Sequence, residues 1–183
     1  MCKQCETKPV YEFTNQRKLC KNCFIKYFQK KVLYTIRKFK MIKRDDVIGY
    51  ENNKGFRGVV LEDVLKMFSK KAMVELVKMP TKKKVNKIAV ASTIDLESNE
   101  IVNEIIKGNL KKFKKIKPVE GKSIKPLYLF LDKEVSLYAN LKDLKFIKKK
   151  QKKDKILEFV DELEKKHPEI KRAVVNSYLK ICD

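Results

Sequence analysis

The chain has 183 residues, 43% of them apolar, and its 45 Lys and Arg outnumber 23 Asp and Glu to leave a formal charge of +22. That apolar share can build the core of one ordinary domain with a small appendage and excludes a disordered chain, while no apolar run approaches the ~20 residues of a membrane-spanning helix. So positive a surface repels itself unless a polyanion or acidic partner covers part of it. Nucleic acid is the expected polyanion, because each phosphate contact by Lys or Arg releases counterions; a generally Lys-rich proteome is the competing explanation.

In chain order, the first element is a pair of cysteine knuckles, Cys2-x-x-Cys5 and Cys20-x-x-Cys23. A two-residue gap lets both thiolates of a pair converge on one ion, and the span from Glu6 to Leu19 suffices for a short hairpin that brings the pairs together. Thr7 to Phe13 is the expected first strand and Asn15 to Lys18 its turn. Four thiolates leave no open coordination position, so the expected site is a structural zinc ribbon over residues 1–23, with iron an alternative occupant. Met1-Cys2-Lys3-Gln4-Cys5 offers no apolar segment for a secretory signal, and the cytoplasm is the expected compartment.

Residues 24–44 then read as a basic amphipathic helix. Apolar residues recur at Phe24, Phe28, Val32, Ile36 and Phe39, and Lys26, Lys30, Lys31, Arg37, Lys38 and Lys40 fill the other faces. Ordinary solvated helices mix both signs of charge, so this acid-free helix is a candidate RNA-facing surface. Residues 45–130 read as an α/β unit. Asp46 to Tyr50, Met73 to Met79 and Lys87 to Ser92 are the expected strands. Helices are expected over Gly58 to Ser69 and Leu96 to Lys107, the second capped by Asp95 and stopped at Gly108. That alternation implies a mainly parallel sheet. Residues 131–183 read as helical: one helix begins at Asp132, and two more follow the run Lys148-Lys149-Lys150-Gln151-Lys152-Lys153, which is either a solvated linker or a second phosphate contact. Cys182 stands alone as an incidental thiol.

The cysteine pairs followed by FIKYFQKKVLYTIRKFK, then IAVASTIDLESNEIVNEIIKGN, IKPLYLFLDKEVSLYANL and FVDELEKKHPEIKRAVVNSY, resemble in order the tRNA thiolation proteins of the PP-loop superfamily. Within it the chain is most similar to the non-catalytic second subunit of the eukaryotic cytosolic tRNA 2-thiolation complex, in a short, compacted form. The resemblance implies an N-terminal zinc ribbon and a reduced PP-loop-like (adenine nucleotide alpha hydrolase-like) α/β fold with flanking helices and a helical C-terminal region. It also implies tRNA, a catalytic PP-loop subunit and a ubiquitin-like thiocarboxylate sulfur carrier as partners.

The family's ATP loop, SGGxDS, falls here on Glu51-Asn52-Asn53-Lys54-Gly55-Phe56-Arg57-Gly58. A phosphate cradle needs small residues so that backbone amides can approach the anion. Glu51 instead brings a carboxylate, the two Asn add bulk, and Gly55 and Gly58 match no phosphate fingerprint, although Lys54 and Arg57 can still meet an anion. No cysteine lies between Cys23 and Cys182, so neither a persulfide nor an iron–sulfur route to sulfur transfer is available near that loop. The loop reads as degenerate, with no catalytic residue and no ATP expected. The alternatives are a divergent stand-alone tRNA sulfurtransferase and a zinc-ribbon protein associated with ribosomes. Deleting residues 1–23 is expected to release the metal and leave the α/β core folded.

Overall fold

The computed structural model describes residues 1–51, 53–113, 115–148 and 155–182. The ribbon is a two-stranded antiparallel hairpin, β1 (Tyr11–Glu12) with β2 (Lys18–Leu19), in the register Tyr11 to Leu19. Helix α1 (Lys21–Lys38) comes next and buries Phe24, Phe28, Val32, Thr35 and Ile36, the stripe expected from the spacing. The ribbon is not an independent module. Leu19 is fully buried in the same apolar cluster as Phe24, Ile48, Leu61 and Tyr138. Rings of Tyr11, Phe13, Phe24, Tyr27, Phe28 and Phe130 make a chain of aromatic contacts from the hairpin into the main core. The ribbon therefore shares a core with the α/β unit instead of hanging from it.

That unit contains β3 (Val47–Glu51), α2 (Phe56–Ser69), β4 (Glu75–Met79), β5 (Lys87–Ala89), α3 (Ile94–Ile106) and the short α4 (Leu110–Phe113). The hairpin β6 (Val119–Glu120) and β7 (Ser123–Ile124) completes it. The sheet order is β4-β3-β5-β7-β6, with the first four strands parallel and β6 antiparallel to β7. Sequence pattern marks β3, β4 and β5 but misses the hairpin. Its strands are two residues long, too short for an alternating pattern, and only Gly121 in a left-handed conformation (φ 55°) marks the turn. Helix α3 begins earlier than expected, at Ile94. Thr93 is its N-cap, and Asp95, in the first turn, accepts instead from the backbone N–H of Asp132 and the Lys171 ammonium, both at 2.7 Å. Gly108, at φ 65°, follows the end of α3 as expected.

Helix α5 (Asp132–Leu141) packs on α1 and α2, while α7 (Ile170–Cys182) packs on α3 and on α6 (Lys155–Lys166). The second packing encloses a smaller core of Ile94, Ile101, Ile116, Tyr128, Val175 and Tyr178. Among the described residues no helix is long and apolar enough to cross a membrane.

Candidate functional site

The metal centre is built by short-range geometry. The N–H of Cys2 donates to Thr7 at 2.9 Å, and that of Glu6, in a left-handed conformation, donates to Cys2 at 3.0 Å, closing the first knuckle. Cys20 is the N-cap of α1 and Cys23 lies in its first turn, so the second knuckle is the start of a helix. Hairpin pairing then brings Cys5 Sγ to 3.3 Å from Cys20 Sγ and 3.6 Å from Cys23 Sγ, and the ligand atoms of all four cysteines lie within 4.8 Å of one another. A tetrahedral ion with metal–sulfur bonds of ~2.3 Å holds its thiolates ~3.8 Å apart, so this spacing fits one ion. A cube of four irons and four sulfides needs its thiolates farther apart than that. Contacts with Thr7 and the Cys23 backbone hold the Cys20 thiol down to about 6, whereas Cys5 beside it pushes Cys23 up to about 12. Ready loss of the first proton with resistance to the last suits a site in which a cation completes the deprotonation.

The second feature is a crevice of about 500 Å³ lined by Asn53, Gly58, Ala91, Leu96, Ser136 and Phe146. It lies at the carboxyl ends of β3 and β5, adjacent central strands whose onward connections lead to opposite edges of the sheet. Open α/β sheets bind ligands at this position, and the volume suits a small molecule. Inside it, the devices that would hold an anion are spent on the chain itself. Asn53 Oδ1 accepts from the Gly55 N–H at 2.9 Å, at the N-cap of α2. A Cβ at Gly58 would lie 2.2 Å from the Asn53 carbonyl oxygen, so the loop backbone is folded down onto the first turn of the helix. Arg57 faces Asp132 through Nε at 2.7 Å and through Nη2, and Asp132 also accepts from Thr93 at 2.7 Å. The Lys54 carbonyl accepts from the Ile147 N–H at 2.8 Å, and Phe146 packs edge-on against Phe56, so residues 144–148 lie across the loop. Lys148 reaches the crevice wall. Lys149 and Lys150 lie outside the described residues. No cysteine is among the described residues lining the crevice.

The third feature is the basic helix. Lys26, Lys30, Arg37, Lys38 and Lys40 are exposed, with Arg37 Nε donating to the Leu33 carbonyl at 3.3 Å. Lys31 departs from its neighbours. Its ammonium turns inward to Glu134 at 3.2 Å and lies 4.4 Å from the centre of the Phe130 ring. Burial lowers its pKa to about 8 despite the nearby carboxylate. Glu134 is fully buried and also accepts from Arg172 at 3.1 Å and from the Leu131 N–H at 2.8 Å, joining α1, α5 and α7. Nothing local distinguishes Lys31 from Lys30, because its partner lies 103 residues away.

No family model and no curated protein sequence matches the chain. Among solved structures it is similar to the U34-tRNA thiolase NcsA from Methanococcus maripaludis, determined with its 4Fe-4S cluster. The TM-score is 0.80 at 18% identity, over 99% of this chain and 86% of that one. The two share one fold, a parallel-dominated α/β sheet with flanking helices, and this chain carries a four-cysteine cluster at its N-terminus.

Proposed function

We propose that the chain is a non-catalytic subunit of a complex that replaces oxygen by sulfur at C2 of the wobble uridine in cytoplasmic tRNA. Its partners are a catalytic PP-loop subunit, the tRNA and a ubiquitin-like thiocarboxylate sulfur carrier. The reading draws on the likeness to a U34-tRNA thiolase for the pathway. It draws on the self-satisfied loop for the division of labour: Arg57 is neutralised by Asp132, and the Asn53 carbonyl packs against Gly58, laying the loop backbone on the first turn of α2. Among the described residues, thiolates that could hold a sulfur-activating group stand together only at the ribbon, with single-ion spacing. There Cys2, Cys5, Cys20 and Cys23 hold zinc or a single iron, which fixes the hairpin against α1; a closed four-thiolate site has no position for substrate. The exposed lysines of α1 offer the tRNA backbone its contacts.

The crevice itself favours a second reading, a stand-alone sulfurtransferase with an unusual loop, since its position and volume suit a nucleotide. Reconstitution separates the two. With tRNA, ATP and thiocarboxylated carrier, the purified chain alone should release no pyrophosphate and form no thiouridine. Adding an SGGxDS-containing partner that co-purifies with it should restore both. Turnover by the chain alone establishes the second reading and ends the first.

A further inference from the structure

Four residues spaced by one helical step of four, Lys26, Lys30, Tyr34 and Lys38, form an exposed row along α1, about 18 Å from end to end at 1.5 Å per residue. Tyr34 is 56% exposed, unusual for a large ring on a helix whose other aromatic residues are buried or half-buried. The Lys38 ammonium stands 6.0 Å from its ring centre. Beside the row runs an open groove of about 470 Å³, bounded by Lys26, Tyr27, Lys30, Lys31 and Tyr34 and closed at one end by Gln4 of the first cysteine knuckle. No carboxylate among the described residues forms an ion pair with Lys26, Lys30 or Lys38, and the sequence has no Asp or Glu between Glu12 and Asp45. Lys31 also bounds the groove, but its charge is drawn inward to Glu134.

We infer that this groove binds single-stranded RNA, with one unpaired base stacked on Tyr34 and the adjoining phosphates on Lys26, Lys30 and Lys38. Lysines alone would serve any polyanion. An exposed ring set between them adds a flat apolar face, which a base can use only when it is out of a duplex. Gln4, at the ribbon end of the groove, offers both an amide donor and an acceptor to a nucleotide farther along the strand. The inference sharpens the tRNA contact of the proposed function by requiring an unpaired stretch, yet it depends only on surface residues and is tested without the thiolation partner.

The probe is a single-stranded RNA octamer carrying 2-aminopurine, titrated with the full metal-loaded chain. The wild type should bind it and quench the fluorophore. Tyr34→Ala should weaken binding about ten- to a hundredfold and abolish the quench, whereas Tyr34→Phe should keep both. Replacing Lys26, Lys30 and Lys38 together by Gln should flatten the slope of log affinity against log salt by about 2. A duplex of the same sequence should bind without dependence on Tyr34. Equal octamer affinity for wild type and Tyr34→Ala overturns the inference. So does binding of polyglutamate with the same Tyr34 dependence, which assigns the face to protein. Failure to bind the octamer overturns it too, and leaves reconstitution with the catalytic subunit free to succeed; failed reconstitution leaves the octamer result standing.

Discussion

The ribbon and the crevice both gather polar groups suited to a ligand, but they treat those groups in opposite ways. At the ribbon, four thiols turn toward one another at distances that a single cation would satisfy. At the crevice, Arg57, Thr93, Asp132, Asn53 and the Gly55 amide are matched within the chain. The contrast shows that residue type does not make a site. What matters is whether the donors are left for an outside partner or consumed by inside ones, because a buried polar group that is already paired gains little by exchanging partners.

The largest test concerns the ribbon. Stripping the metal, or Cys20→Ser, should lower the melting temperature of the whole chain by about 10 °C or more, since each kcal/mol is worth roughly 2–4 °C at this size. Because Leu19 and Cys20 are buried in the main cluster, one cooperative transition is expected by circular dichroism, against the sequence-based expectation that the ribbon can be deleted with the core intact. Two separate transitions would restore that expectation.

Glu134→Ala comes next, with an expected cost of about 3–5 kcal/mol in denaturant unfolding, because it leaves Lys31 and Arg172 without their buried carboxylate. A cost under about 1 kcal/mol would show that water reaches this cluster.

Asp132→Asn probes the crevice by releasing Arg57 at a stability cost of about 1–3 kcal/mol. Tripolyphosphate should then bind more tightly than to the wild type by isothermal titration. No gain would mean that the Asn53 carbonyl, not the ion pair, closes the site.

The smallest effect is one of pH. Burial lowers Lys31 from 10.5 to about 8, so the unfolded chain holds this proton where the folded one has released it. Wild-type stability should therefore gain with pH between about 8 and 10 relative to Lys31→Met. Above about pH 10, Tyr27, raised to about 12 chiefly by burial with Glu134 adding to it, works in the opposite direction as the unfolded phenol ionises first. Parallel stability curves for the two proteins across that window would exclude the Lys31 contribution.

Much of the architecture was legible because it is local. The x-x gap of each knuckle, the fourfold recurrence of Phe24, Phe28, Val32 and Ile36, and the placement of Gly108 after α3 are all expressed within a turn or two of chain. The hairpin β6–β7 was not legible, since Val119-Glu120 and Ser123-Ile124 become strands only by pairing with each other and with β5. Asp95 was a reasonable cap by sequence, but the Asp132 amide and Lys171 compete for its carboxylate from far along the chain. At the candidate sites the same division holds. The four ligands of the metal centre were readable from spacing, whereas the ion pair of Arg57 with Asp132 joins residues 75 apart.

By itself the sequence determined the ribbon's ligand set, the helical stripes, the α/β alternation and the excess of positive charge, all of which follow from residue identity at short separation. Tertiary structure alone decided which charges remain available: Lys30 faces water while Lys31 faces Glu134, and the loop after β3 closes on itself. The reason is physical. The free energy of a charge depends on its solvation and on opposite charges within a few ångströms, and in a folded chain those neighbours come from segments far away along the sequence.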